Sequence, residues 1–171
     1  LHDALAHRRS IRSFGPQSLD LAQVGQLMWA AQGITHSGDR RTAPSAGALY
    51  PLELYAVTTG EVLHYLPAEH LAEQWPSTLA LAALAEATPN GDVVRQASTT
   101  FVITGVTART ADMYGARATR YVALEAGHAA QNLCLQVVGL GLGAVTIGAF
   151  DDDAVATALA LSPGEVAYYL I

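Results

Sequence analysis

The chain has 171 residues, of which 51% are hydrophobic and 14% are charged, and its formal net charge at pH 7 is -6. This length and apolar fraction predict one folded domain over residues 1–171 and exclude a disordered chain. All basic residues are arginines, so no lysine is available for Schiff-base or acid/base chemistry. The acidic balance excludes a basic surface for nucleic acid or for an anionic membrane.

The cysteine content and the hydropathy of the chain exclude further classes of protein and of metal site. Cys134 is the single cysteine, which excludes an internal disulfide framework and a multi-cysteine metal site. A lone thiol is typical of a reducing cytoplasm, which is the predicted location. No uncharged apolar run approaches the roughly 20 residues of a membrane span, so no membrane association is predicted.

The first part of the chain predicts two helices followed by a polar segment. A short helix is expected over residues 1–8, and a second helix is expected to begin with Ser18 as its N-cap and to end at Gly33. A polar loop is predicted over residues 35–42. The apolar side chains of the second helix recur at helical spacing: Leu21, Val24, Leu27, Met28 and Ala31.

The remaining chain alternates between predicted strands and helices. Strands separated by helices, with one hairpin, predict an α+β or α/β sandwich around a central sheet. The small residues of the longest helix allow another helix to approach closely. The predicted elements are strands over 52–58 and 61–66 around a Thr59-Gly60 turn, a helix over 78–87, a strand over 99–106, a long helix over 117–140, a strand over 144–147, a helix over 154–161 and a last strand over 165–171.

Arginines and a hydroxyl alternate just after the first helix, over the sequence Arg8-Arg9-Ser10-Ile11-Arg12. In an extended segment residues two apart share a face, so Arg8, Ser10 and Arg12 are expected to point together. Two guanidinium groups and a hydroxyl make a good site for phosphate or another polyanion. A solvated arginine face is the alternative interpretation, and this segment alone leaves both open.

Two segments of small residues would let a ligand approach the backbone closely. Residues 44–48 read Pro-Ser-Ala-Gly-Ala, where little Cβ bulk shields the backbone N–H groups, although an ordinary connecting turn would have the same composition. Residues 140–150 read LGLGAVTIGAF. Its glycines follow a helix and precede a strand, which is the reverse of the order in a dinucleotide-binding fingerprint.

Metal and hydrolase chemistry are not predicted. The six histidines lack HxxxH spacing and a partnered cysteine, and the chain has no GxSxG sequence. His128 within the long helix is interpreted as a core or interface histidine. Tyr114, at the head of that helix, is a candidate acid/base residue, with capping or packing as the default role of a single tyrosine.

In chain order these segments resemble the FMN-dependent nitroreductase superfamily. RRSIRSF (8–14) is similar to its flavin-phosphate segment, PSAGALYP (44–51) to its second flavin loop, and GLGAVTIGAF (141–150) to the strand and turn beside the reactive face of the flavin. RTAPSAGALYPLELY, YGARATRYVALEAGHAAQNLCLQ and LGLGAVTIGAFDDD resemble more narrowly the SagB-type dehydrogenase branch. That branch includes the azoline oxidases, which form thiazoles and oxazoles in ribosomal peptides.

The resemblance covers nearly the whole chain. It implies an α+β fold, a three-layer α/β/α sandwich with a mostly antiparallel central sheet, in a domain-swapped homodimer that shares FMN between its subunits. It implies that Arg8 binds the FMN phosphate, and that Arg12 lies toward the pyrimidine edge, where a cation stabilises anionic reduced flavin. It also implies that a backbone N–H at Ile147 or Gly148 reaches flavin N5. The other cofactor positions that it implies are Arg9, Ser10, Pro44, Ser45, Ala46, Ala48 and Gln131.

The chain departs from the family pattern at positions that bear on activity. Met113-Tyr114 stands where the azoline oxidases have a Lys-Tyr pair associated with catalysis. Tyr114 remains a candidate catalytic proton carrier, but the missing lysine counts against azoline oxidation, which needs a base of suitable pKa. Ala48 stands where many nitroreductases have Asn, which removes one hydrogen bond to the flavin. The resemblance also implies a basic phosphate ligand after the last strand, which residues 1–171 do not contain.

The resemblance therefore implies an FMN-dependent oxidoreductase of the SagB type. It would move hydride through flavin N5 between a donor, with NAD(P)H as a candidate, and a small-molecule or peptide substrate. Residues 64–75 are the predicted determinant of substrate selectivity. A plain NAD(P)H-dependent nitro or quinone reductase is one alternative, and a non-catalytic flavin-binding or scaffold subunit of a biosynthetic complex is another. Ala48 and Met113 favour the last of these.

Overall fold

The structure is a computed structural model that describes residues 1–36, 38 and 40–171. No helix within these residues combines the length and the apolar composition needed to cross a membrane. The helices are α1 (His2–His7), α2 (Leu21–Gln32), α3 (Ala80–Glu86), α4 (Gly91–Gln96), α5 (Ala108–Tyr114), α6 (Ala118–Gly139) and α7 (Asp152–Leu159). The strands are β1 (Ile34–His36), β2 (Arg40–Arg41), β3 (Leu52–Val57), β4 (Glu61–Leu66), β5 (Leu71–Pro76), β6 (Thr100–Val106) and β7 (Glu165–Leu170).

The central sheet has the strand order β5-β4-β3-β6-β7, and every neighbouring pair in it is antiparallel. The β3–β4 hairpin places Tyr55 opposite His64. On its other side β3 pairs with β6, with Leu54 opposite Ile103. The predicted hairpin, the predicted buried strand near residue 100 and the mostly antiparallel sheet are therefore confirmed.

Helices cover both faces of this sheet and form two cores. On one face Leu27 of α2 and Leu133 of α6 pack with Leu54 of β3. On the other face Leu84 of α3 and Val155 of α7 belong to a second buried cluster. The strand residues in this cluster alternate along the chain with those in the first, because successive side chains of a strand point to opposite faces. Full burial of one such side chain stabilises the fold by about 2 kcal/mol. This arrangement confirms the predicted three-layer α/β/α sandwich.

A glycine sets the distance between α6 and the sheet. A Cβ atom at Gly105 of β6 would lie 2.6 Å from Cγ1 of Val122 and 3.1 Å from Cε2 of Tyr168. Contacts that close would force the helix or the ring to move. Gly105 therefore allows α6 to lie directly on β6, which fixes the position of every functional side chain that α6 carries.

The predicted start of α2 is wrong, whereas its predicted end at Gly33 is confirmed. The N-cap is Asp20 and not Ser18, because Asp20 and Gln23 form a reciprocal capping box. The Asp20 carboxylate accepts a hydrogen bond from the Gln23 backbone N–H at 2.7 Å, and the Gln23 side chain accepts one from the Asp20 N–H at 3.0 Å. Of the predicted apolar stripe, Leu21 alone is largely exposed, at 73%.

The predicted strand over 144–147 is also wrong, because this segment touches its neighbours at isolated bridges only. The backbone N–H of Ile11 donates to the Ala144 carbonyl at 2.9 Å. Ile147 and Leu170 exchange two backbone hydrogen bonds of 2.7 and 3.0 Å. The segment therefore crosses from the N-terminal arginines to the end of β7 without running along either.

Three further elements differ from the prediction. Residues 64–75, the predicted determinant of substrate selectivity, lie in β4, in β5 and in the turn between them, and so form strands of the sheet. Tyr114 ends the separate helix α5 and does not head α6. The predicted polar loop over 35–42 contains most of the short β1–β2 ladder, and its residues 37 and 39 lie outside the described residues.

Candidate functional site

The arginine segment runs in an extended conformation away from the end of α1. Arg8 ends that helix with φ -59° and ψ 120°. A parallel bridge between Ser10 and Ala144 then holds the chain against the turn after α6. Ile11 is half-buried, whereas its neighbours Ser10 and Arg12 are exposed. Across the part of the chain that the structure describes, the guanidinium groups of Arg8 and Arg12 make no hydrogen bond or ion pair, so their donors are available to an anion.

A cavity of about 330 Å³ opens beside Arg8 and Arg9. Arg8 and Arg9 line one side of it, and the residues of the turn at 141–144 line another. Gly143 is required there, because a Cβ atom at this position would lie 2.9 Å from Cγ2 of Ile11. The buried thiol of Cys134 on α6 also lines the cavity. The cavity thus combines cationic donors with a wall of small residues.

The loop over 44–48 lies against the end of α5. A Cβ atom at Gly47 would lie 2.9 Å from the Met113 sulfur and 3.0 Å from the Tyr114 hydroxyl oxygen, so this contact requires glycine. Gly47, Ala48 and Tyr50 have φ values of 64°, 54° and 47°. For a residue with a Cβ atom, this left-handed conformation costs roughly 1 kcal/mol, and such strain concentrates at functional loops.

Glu125 of α6 is a buried carboxyl group beneath this loop that sequence reasoning missed. It is 2% exposed, and burial raises its pKa to about 7, against the opposing effects of the Ser45 hydroxyl and of the charge of Arg41. Its Oε1 atom has no hydrogen-bond partner among the described residues. The available signal was an acidic residue within the apolar run YVALEAG, at a position that helical spacing places on the core face.

Arg41 of β2 lies close to the same loop and was also missed. Its Nη1 atom donates to the Gln32 side-chain oxygen at 2.8 Å, and its guanidinium carbon lies 4.7 Å from the centre of the Tyr50 ring. Burial lowers the pKa of Arg41, while Glu53 and Glu125 act in the opposite direction. The Nε atom of Arg41 and the Nε2 atom of Gln32 are buried without partners within the described ranges.

An ion-pair network attaches α5 to the sheet. Arg109 of α5 contacts Glu53 of β3 at 2.5 Å, and the same carboxylate lies 2.8 Å from Nε2 of His64. The hydrogen bond with Glu53 raises the pKa of His64, although burial opposes this effect. Burial would raise the pKa of Glu53, but its hydrogen bonds with His64 and Arg109 lower it overall. This network fixes the helix that ends at Tyr114.

The predicted site residues do not form a single cluster within one chain. Arg8 lies by Cys134, whereas the loop over 44–48 lies by Glu125, nine residues earlier on α6. At the rise of an α-helix this separation is about 13 Å. Gln131 is exposed on α6 between these two points. Ile147 and Gly148 lie beside β7.

Comparisons with known proteins identify the family. The model of the nitroreductase family matches residues 5–171. A protein of Methanocaldococcus jannaschii that is named as a nitroreductase is 39% identical over 165 residues, which covers 90% of this chain and 80% of that protein. Members of the family typically bind FMN.

Solved structures share the fold. A protein of Ralstonia eutropha named as a nitroreductase superposes with a TM-score of 0.86 at 29% identity, covering 98% of this chain and 78% of its own. A protein of Desulfovibrio desulfuricans in complex with FMN gives 0.75 at 22% identity, covering 99% and 81%. A chain of the Escherichia coli microcin synthetase McbBCD complex, with truncated pro-MccB17 bound, gives 0.77 at 23% identity, covering 98% and 70%. The family match over almost the whole length, together with the confirmed sandwich, shows that the chain belongs to the nitroreductase family.

Proposed function

We propose that this nitroreductase-family oxidoreductase is FMN-dependent, belongs to the SagB-type branch and acts as one domain over residues 1–171. It transfers hydride between a donor and a small-molecule or peptide substrate. The observation that carries the proposal is the unpartnered guanidinium group of Arg8, which lines the cavity beside the small-residue turn, with the unpartnered guanidinium group of Arg12 further along the same extended segment. An anion site in a chain without lysine relies on arginine for its cationic donors.

The donors present fit FMN. Arg8, Arg9 and Ser10 supply charged and neutral donors for its phosphate, and Arg12 supplies a cation for the pyrimidine edge. Gly143 lets the turn pack closely against Ile11 beside these donors, because a Cβ atom there would meet the Ile11 side chain. When bound, FMN supplies hydride transfer, and the residues of the chain orient the substrate and hold protons.

A homodimer would bring the separated halves of the site together. The loop over 44–48 and the arginine segment are attached to points about 13 Å apart on α6. A two-fold assembly would place Pro44, Ser45, Ala46 and Ala48 of one subunit against the arginines of its partner. Gln131, on the helix between the two points, and the turn at 147–148 would then line the shared site.

The first experiment is an absorbance spectrum of the purified protein before and after anaerobic addition of NADPH. Flavin bands that bleach support an FMN oxidoreductase that accepts electrons from NADPH. Bands that persist favour a dehydrogenase driven by its substrate or a non-catalytic flavin subunit, and azoline peptides are then the next substrates to test. No flavin bands, even after FMN is added, contradict the flavin proposal.

Tyr114 is the proposed catalytic proton carrier, because its hydroxyl lies at Gly47 in the proposed flavin loop. Tyr114→Phe is expected to lower kcat with NADPH and a quinone acceptor by about tenfold, the effect of losing one hydrogen bond in the transition state. FMN affinity should stay unchanged. Tyr121→Phe is the matched control, since its ring contacts that of Tyr114 at 5.0 Å. Equal rates for the two variants would contradict the assignment.

A plain nitro or quinone reductase is the second candidate, and it is favoured by Met113. An azoline oxidation removes a proton as hydride leaves, which requires a base that a methionine cannot provide. The microcin synthetase neighbour favours a peptide substrate instead. Turnover of nitroaromatic compounds without turnover of azoline peptides would decide for the reductase.

A further inference from the structure

The short helix α5, which carries Tyr114 to the loop over 44–48, buries very little of its own surface. It has seven residues, and only Thr110 among them is buried. Among the described residues, the Thr110 hydroxyl has no hydrogen-bond partner and no side chain caps the first turn of the helix. Isolated helices shorter than about 12 residues are marginal in water, because the first turn is unfavourable to form. The position of α5 therefore depends on the side-chain contacts that it makes with the rest of the fold.

Within the part of the chain that the structure describes, one ion pair joins α5 to the sheet. Nη2 of Arg109 lies 2.5 Å from Oε1 of Glu53, which is the single charged residue of β3 and is 17% exposed. A pair with a largely buried carboxylate is stronger than a pair in bulk water, because the local dielectric constant is lower. At the other end of the helix, the Tyr114 ring meets the Tyr121 ring at 5.0 Å. Arg109 therefore supplies the polar attachment of α5, five residues before Tyr114.

The Glu53 carboxylate is itself held in one orientation from the side opposite to α5. Its Oε2 atom lies 2.8 Å from Nε2 of His64 on β4, and the His64 ring stacks on that of Tyr55 with the ring centres 4.6 Å apart. Nδ1 of the same histidine lies 3.7 Å from Oε2 of Glu73 on β5. Each carboxyl oxygen of Glu53 therefore has its own partner, and Oε1 is left facing Arg109.

We propose that Glu53 and Arg109 are positioning residues for Tyr114. Their ion pair holds the first turn of α5 on the sheet, and the helix then places the Tyr114 hydroxyl against Gly47 of the loop. At 1.5 Å per residue, Arg109 and Tyr114 are about 7.5 Å apart along the helix axis, so a shift at one end of α5 is passed to the other. The inference rests on the proposed function, in which Tyr114 carries a proton, and it assigns no chemical step to Glu53 or Arg109.

The cofactor-free protein tests the attachment of α5 through NMR of its methionine methyl groups. The chain has two methionines. Met113 lies in α5, with its sulfur at Gly47, and Met28 is 1% exposed in the core. In Arg109→Ala and in Glu53→Gln the Met113 methyl resonance should move toward its position in urea. The Met28 resonance should stay, which shows that the fold is intact. A Met113 resonance that stays in both variants overturns the proposal.

Arg95→Ala is the matched control for the loss of this ion pair. Arg95 of α4 lies 2.6 Å from Glu86 and is 48% exposed, against 45% for Arg109. Its removal should leave both methyl resonances as they are in the wild type. Arg109→Lys is the conservative variant, and it should restore part of the Met113 shift because it keeps the charge while losing the planar fork of the guanidinium.

A double-mutant cycle on kcat separates the positioning of Tyr114 from a general structural role. With NADPH and a quinone acceptor, Arg109→Ala should lower kcat about tenfold, because a catalytic group displaced by less than 1 Å loses much of its effect. In the Tyr114→Phe background the same change should lower kcat by less than about twofold, since the hydroxyl that it positions is gone. An equal loss in both backgrounds overturns the proposal. A Met113 resonance that moves as expected in a protein without flavin turnover supports the attachment of α5 and contradicts the proposed function, so the two failures are distinguishable.

Discussion

Replacing Arg8 and Arg12 together by alanine is expected to weaken FMN binding about a thousandfold. Each guanidinium forms charge-assisted hydrogen bonds with the cofactor in the proposed site, and each such bond contributes roughly 1.5–3 kcal/mol. Neither side chain has a partner among the described residues, so their loss leaves no buried group unsatisfied and the fold should be unaffected. Titration of the cofactor-free protein with FMN, followed by quenching of flavin fluorescence, measures the change.

Arg95→Ala is the matched control for that double variant. Arg95 is an exposed residue of α4, in the opposite helical layer, and its ion pair with Glu86 is 2.6 Å long. An exposed pair of this kind contributes little to stability, and its loss should leave FMN binding unchanged. Wild-type affinity in the double variant would show that the segment over 8–14 is a solvated arginine face and not a phosphate site.

Glu125→Gln should be more stable than the wild type at pH 8 by about 3 kcal/mol. The pKa of this carboxyl rises from 4.5 to about 7 on folding, and each pKa unit corresponds to about 1.4 kcal/mol. The contribution of the protonated Glu125 carboxyl to the stability of the fold is fully present below about pH 4.5. It is lost progressively as the pH rises to about 7, because the carboxyl group ionises at lower pH in the unfolded chain than in the folded one. Urea unfolding of both proteins between pH 5 and pH 8 measures the difference.

The difference in the free energy of unfolding between the wild type and Glu125→Gln should grow as the pH rises. The difference in the free energy of unfolding should be smallest at pH 5, whereas Glu69→Gln should follow the wild type throughout, since its side chain is exposed. A constant difference between wild type and Glu125→Gln across this range would mean that the carboxyl group does not change its ionisation on folding.

Sequence patterns predicted those elements whose burial is one-sided or complete. The strands β3 and β6 are almost wholly buried, and α2 has an apolar stripe, so composition and spacing report their environment. The strand β5 was missed because five of its six residues are exposed and no alternation results. The segment over 144–147 resembles a strand because Val145 and Ile147 are buried, yet a strand also needs a partner along its length.

The candidate site was predictable only where residue type alone carries the chemistry. Arginines and small-residue turns can be identified without knowing their neighbours. Glu125 and Arg41 act through each other and through Ser45, which is 80 residues from Glu125, so their roles depend on the tertiary fold. The link between Arg109 and Glu53 is equally long-range. Electrostatic coupling of this kind leaves no local sequence signal.

The strand order of the sheet also determines when it can be completed during synthesis. β7, the last strand in chain order, covers the free edge of β6, and its Glu165 accepts hydrogen bonds from Tyr55 and from Thr104. Residues 110 positions beyond Tyr55 must therefore leave the ribosome before β6 is paired on both sides. Until then β6 offers an apolar, unpaired edge, which is the kind of surface that chaperones bind and that aggregates when unprotected. The nascent chain should depend on such protection more than the finished protein does.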